Sequence, residues 1–107
     1  MQKKTEQIPG IKELRKLCGK SQNEVARFCG VAIPSVQRWD NSLINTRASN
    51  LLKIAAFFNL SVDELLRVDM PTKTKALLSI YRELPKKKQT ELLRFAENLQ
   101  AQEVNKV

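Results

Sequence analysis

With 107 residues, 42% of them hydrophobic and 28% charged, the chain has room for one domain and a small appendage, and its composition is that of a soluble globular protein. Six aromatic residues, three glycines and four prolines argue against a turn-rich β fold, and no apolar run approaches the roughly 20 residues of a membrane span. The net charge of +8 favours a polyanionic partner such as nucleic acid, although a merely solvated lysine-rich surface gives the same total.

The abundance of Leu, Lys, Glu, Gln and Ala favours helix, and helical periodicity starts early. In "IPGIKELRKLCG" the residues Ile11, Leu14, Leu17 and Cys18 share a face, with Pro9 at a tolerated first-turn position and Gly19 as a stop. "SQNEVARFCG" opens on Ser21 with Glu24 three residues later, a capping box. Val25, Ala26, Phe28 and Cys29 supply the buried side of that second helix, and Gly30 ends it. Only "GVAI" separates it from a third helix, "PSVQRWD", a link short enough for a helix–turn–helix corner. Proline disfavours helical geometry in the residue before it, so this helix is expected to begin at Pro34 with Ile33 as its N-cap. Thr46 is placed to cap a fourth helix, on which Leu51, Ile54, Ala55 and Phe58 share a face. A second capping box, Ser61 with Glu64, opens a short fifth helix. Helices this short cannot each bury a face alone, so they must pack as one bundle.

After "VDMP" two longer helices are predicted, split at Pro85. Leu77, Ile80, Tyr81 and Leu84 form one apolar stripe; Leu92, Leu93, Phe95, Ala96 and Leu99 form the other. They either fold back on the bundle or meet a second chain. A second chain is favoured, because the bundle already has a core and a one-sided αα-hairpin is a common self-association unit. The first seven residues and the tail "EVNKV" are expected to fray.

Residues 21–41 read SQNEVARFCGVAIPSVQRWDN. Small Ala26, Gly30 in the turn and Val36 let two helices cross steeply with close backbone contact. This segment resembles the helix-turn-helix of the Cro/phage-repressor (XRE-like) family of DNA-binding regulators, and the likeness continues through "ASNLLKIAAFFNLSVDELL". The resemblance implies an all-α fold: a five-helix repressor-like DNA-binding domain over residues 8–67. A C-terminal two-helix hairpin for dimerisation would occupy residues 72–102, where the likeness is looser and is to the region after the DNA-binding domain in several small regulators of that family.

Carried over position by position, the resemblance implies base contacts from Ile33, Ser35, Gln37 and Arg38, with Val36 and Trp39 buried behind them. Arg38 suits guanine O6 and N7; a phosphate, or Asp40, is its other possible partner. Gln22, at the start of the second helix, is expected on a DNA phosphate. Asn41, Ser42, Asn45 and Arg47, in the loop after the third helix, and Lys20 beside the corner are further phosphate candidates; capping of the loop is the other reading for Asn41, and a merely solvated face that for Lys20. The apolar pair Ile33–Pro34 stands where the family is usually polar.

The charge divides as +4 over residues 1–20, zero over 21–70 and +4 over 71–107, so the arms must supply much of the nonspecific attraction to DNA. One head touches little DNA, which favours a homodimer with its reading helices about 34 Å apart on a palindromic operator. The implied function is a homodimeric transcriptional repressor. The alternatives are an antitoxin that represses its own operon and grips a toxin, and a protein–protein adaptor without DNA binding. Histidine is absent and no nucleophile has a recognisable base, so an enzyme is not expected. Cys18 and Cys29 read as reduced, mostly buried thiols; neither a metal nor a cofactor is expected. The opening "MQKKTEQIPG" lacks the apolar core of a secretion signal, which points to the cytoplasm.

Overall fold

In the computed structural model, which describes residues 8–104, seven helices and no strand are present among those residues. They are α1 (Lys12–Leu17), α2 (Gln22–Cys29), α3 (Ile33–Asn41), α4 (Ala48–Phe57), α5 (Val62–Leu66), α6 (Thr72–Glu83) and α7 (Lys86–Val104). The expected fraying falls on residues outside this range, except that Glu103 and Val104 belong to α7. No helix among the described residues is long and apolar enough to cross a membrane.

Both capping boxes form. Ser21 Oγ accepts from the Glu24 N–H at 3.0 Å, and Glu24 Oε1 accepts from the Ser21 N–H at 2.7 Å. Ser61 and Glu64 repeat the pattern at the start of α5. At the other end of α2, Gly30 takes the left-handed conformation (φ 70°) and returns its N–H to the helix, so that only three residues separate α2 from α3. Val25, Val36, Ile54 and Phe58 are fully enclosed where α2, α3 and α4 meet, and Trp39 is 4% exposed. Burying side chains of this size stabilises by about 1.5–3 kcal/mol each.

Several local expectations need correction. α3 begins at Ile33 with Ala32 as its N-cap, not at Pro34. Proline fits the second helical position because no intrahelical bond is required of its nitrogen there, and Ile33 packs against the core. Thr46 does not cap α4; Arg47 holds that position without a side-chain bond. Leu17 and Phe28 lie exposed instead of joining the core, Phe28 meeting Phe57 edge-on at 5.3 Å.

Pro9 is not in a helix either. Residues 8–11 form a strap across the end of α3: Ile11 N–H donates to Trp39 O at 2.9 Å, Leu43 N–H to Pro9 O at 3.3 Å, and Ser42 Oγ to Ile8 O at 2.7 Å. Gly10 lies so close to the α3 backbone that a Cβ there would stand 2.1 Å from Asp40 O.

α6 runs beside α1 in the same direction. Thr72 shares an open cleft with Lys12 and Lys16, Ser79 meets Cys18, and Glu83 accepts from Lys20 Nζ at 3.2 Å. Its inner face is Lys75, Ala76 and Ser79, not the predicted Leu77–Leu84 stripe. Lys75 Nζ donates to Leu65 O at 2.8 Å, and Arg82 spans Asn59 O and the Glu64 carboxylate at 2.8–3.0 Å. The apolar stripe therefore points outward. Leu77 and Tyr81 are exposed, while Ile80 and Leu84 are half-buried. None of the residues of α7 is buried; Leu92 is half-buried, and Phe95 and Leu99 are exposed. Between the two helices Leu77, Leu78, Tyr81, Leu92, Leu93 and Ala96 line an apolar groove of about 260 Å³.

Candidate nucleic-acid interface

The segment from Ile33 to Asn41 is a two-sided helix. Val36 and Trp39 anchor it from behind, while Gln37, Arg38 and Asn41 are exposed and Ser35 is half-buried. Arg38 donates to Ser35 Oγ at 3.3 Å; it does not pair with Asp40. A guanidinium whose one hydrogen bond among the described residues is to a serine hydroxyl can turn to a base edge or a phosphate at little cost. Ile33, by contrast, is half-buried against the core, so the apolar tip of the helix is narrower than the sequence suggests and consists mainly of exposed Pro34.

Asp40 serves the scaffold. Its carboxylate accepts from Arg15 Nε at 3.1 Å and Nη2 at 2.6 Å, and from Gln22 Nε2 at 2.8 Å. Arg15 and Asp40 are 8% and 7% exposed. Burial acts to raise the Asp40 pKa, but the hydrogen bonds from Arg15 and Gln22 and the charges of Arg15 and Lys12 outweigh it, leaving the carboxyl below its ordinary value. This network joins α1, the start of α2 and the last turn of α3. It also orients Gln22: one amide hydrogen is committed to Asp40, and the other has no partner among the described residues. Sequence reasoning missed this role of Arg15, although it lies four residues after Ile11 and next to Leu14, inside the apolar face of α1.

The other phosphate candidates fall into two groups. Asn41, Asn45 and Arg47 are exposed around the turn after α3, with Asn45 in the left-handed region at φ 65°. Ser42 is engaged internally, donating to Ile8 O and accepting from the Ile44 N–H at 3.1 Å. Lys20 is half-buried and ion-paired with Glu83 at 3.2 Å. Burial raises the Cys18 and Cys29 thiols above their ordinary pKa, so both are protonated at neutral pH. Among the described residues no cluster of His, Cys, Asp or Glu is placed to hold a metal ion.

No curated protein and no solved structure matches the chain significantly. A family model, described as helix-turn-helix, matches residues 11–65, just over half of the 107 residues and the span from the start of α1 through α5. With the capped α2, the left-handed Gly30 and the two-sided α3 in place, the chain belongs to the Cro/phage-repressor (XRE-like) helix-turn-helix family and is a DNA-binding regulator of that general class.

Proposed function

We propose that the protein is a homodimeric repressor that reads a palindromic operator through α3 in the major groove. The observation that carries this is the exposed edge Ser35–Gln37–Arg38 on a helix fixed from behind by Val36 and Trp39. Arg38 offers a bidentate donor for guanine, Gln37 and Ser35 add shorter polar contacts, and Gln22, Asn41, Asn45 and Arg47 set the register on the backbone. Lys20 and Ser42 are weaker candidates, because each is already engaged inside the protein.

Dimerisation through α6 and α7 is supported by the outward stripe. A helix with one face seated on its own domain and a second apolar face left open is shaped to be covered from both sides. Leu77, Ile80, Tyr81, Leu84, Leu92, Phe95 and Leu99 would form the seam, with the groove receiving side chains of the second copy. The same groove favours one further reading, an antitoxin that grips a toxin there; copurification of a second small protein separates the two. A DNA-free adaptor loses support, since its apolar tip is partly spent on the core.

Footprinting on the protein's own upstream region tests the proposal. The expected result is a two-fold symmetric protected site with half-sites one helical turn apart, and for Arg38→Ala a loss of about 1–3 kcal/mol per contacted base with relaxed preference at that position. Equal binding to every sequence, unchanged by Arg38→Ala, would refute base reading.

A further inference from the structure

Docking α6 along α1 has an effect at the far end of α6. Glu83 reaches Lys20, and Lys20 immediately precedes Ser21, the N-cap of α2. Three Cα steps of about 3.8 Å place the Lys86 backbone no more than about 11 Å from that of Glu83. The lysines 86–88 that open α7 therefore begin one short connection away from the Glu83–Lys20 pair, at the end of α6 that is tied to the residue preceding the α2 N-cap.

Two of their three charges have no pairing among the described residues. Lys88 pairs with Glu91 at 3.4 Å, but among the described residues neither Lys86 nor Lys87 has an ion-pair or hydrogen-bond partner for its side chain. The first turn of α7 contains no acidic residue, so three positive charges there oppose the helix dipole. Lys20 is already compensated by Glu83, whereas Lys86 and Lys87 are exposed and unpaired among the described residues.

We propose that Lys86 and Lys87 bind the sugar–phosphate backbone of the duplex outside the segment read by α3, so that the C-terminal region also lengthens the footprint. This rests on the DNA-binding function proposed above. The contact is electrostatic and carries no sequence information, so it adds affinity and salt dependence without changing base preference.

The test compares the full chain with the K86Q/K87Q double variant on two duplexes. One ends at the footprint boundary of the double variant; the other extends about 10 base pairs further at each end. On the longer duplex the variant's slope of log Kobs against log salt is expected to be shallower by about 0.9 per lysine engaged, hence about 1.8 per head. On the shorter one the two proteins should coincide. Equal slopes on the longer duplex overturn the inference and leave an acidic protein as the partner of these lysines. An equal loss on both duplexes overturns the placement outside the half-site. Absence of any salt-sensitive binding by the unaltered protein would instead sink the DNA-binding function itself. A K86R/K87R variant should retain the wild-type slope, since charge is what the contact uses.

Discussion

Gly10→Ala isolates the strap that holds the reading helix. The added Cβ would stand 2.1 Å from Asp40 O, 2.4 Å from Asp40 C and 2.6 Å from Asn41 C, where ordinary contacts lie at 3.4–4 Å. All three are backbone atoms in the last turn of α3, so no side chain can swing away. The strap must retreat by more than about 1 Å, which strains the bonds from Ile11 to Trp39, Leu43 to Pro9 and Ser42 to Ile8 and disturbs Ile11, which is fully enclosed. Overpacking costs about 1–3 kcal/mol, and each weakened hydrogen bond about 0.5–1.5 kcal/mol. A total near 3 kcal/mol lowers Tm by about 10 °C or more in a domain of this size. Thermal unfolding followed by circular dichroism reads this directly. Gly19→Ala provides the contrast: Gly19 has φ +70° but open space around it, so only the left-handed strain of about 1–2 kcal/mol applies. A Gly10→Ala protein that melts within about 2 °C of the unaltered chain would refute the close approach.

Asp40→Ala leaves the buried Arg15 guanidinium without its partner, and breaking a buried pair in this way costs about 3–5 kcal/mol; the urea midpoint should fall accordingly, while an Arg15→Met/Asp40→Leu double variant should recover most of it. Acid should loosen the seat of α6: Arg82, then the Ser61 backbone, holds Glu64 down to about 2 from its ordinary 4.5, and Asp40 is also lowered. A depressed carboxyl contributes stability that is fully present above its unfolded pKa and lost as pH falls through the folded one. The urea midpoint should therefore decline between about pH 4.5 and pH 2, less steeply for Glu64→Gln, and a flat profile rules out the clamp. Phe95→Asp, at a side chain 60% exposed, should halve the mass measured by light scattering and remove any dependence of the melting point on protein concentration; an unchanged mass excludes Phe95 from the seam.

What could be read from the sequence was what is local. The boxes at Ser21 and Ser61 join residues three apart, and the burial of Val36 and Trp39 is what the family resemblance implies. Arg15 and Asp40 are 25 positions apart, and nothing in either neighbourhood announces the pair. The C-terminal helices show the second limit. Periodicity selects the large apolar residues of α6, yet its inner face uses Ala76 and Ser79, with the Lys75 amine turned onto the Leu65 carbonyl of α5. Small residues permit that approach and large ones prevent it, so the evident stripe was the outer face. Within the candidate interface, the exposed edge of α3 and its buried back were legible through family resemblance. The internal partners of Gln22, Ser42 and Lys20 became visible only once distant helices were brought together.

The five residues between α5 and α6, Arg67 to Pro71, carry little responsibility for where α6 sits, because Lys75 and Arg82 moor that helix independently near both of its ends. Lengthening this connection would add slack: doubling such a loop costs only about 0.6 kcal/mol, and the offset from α3 to the outer face of α6 stays as it is. Extra residues at Leu84–Pro85 would re-aim α7 instead. In a paired assembly the gauge between the two heads is thus set by a moored helix, and chain length can drift at one junction while the other has to be kept.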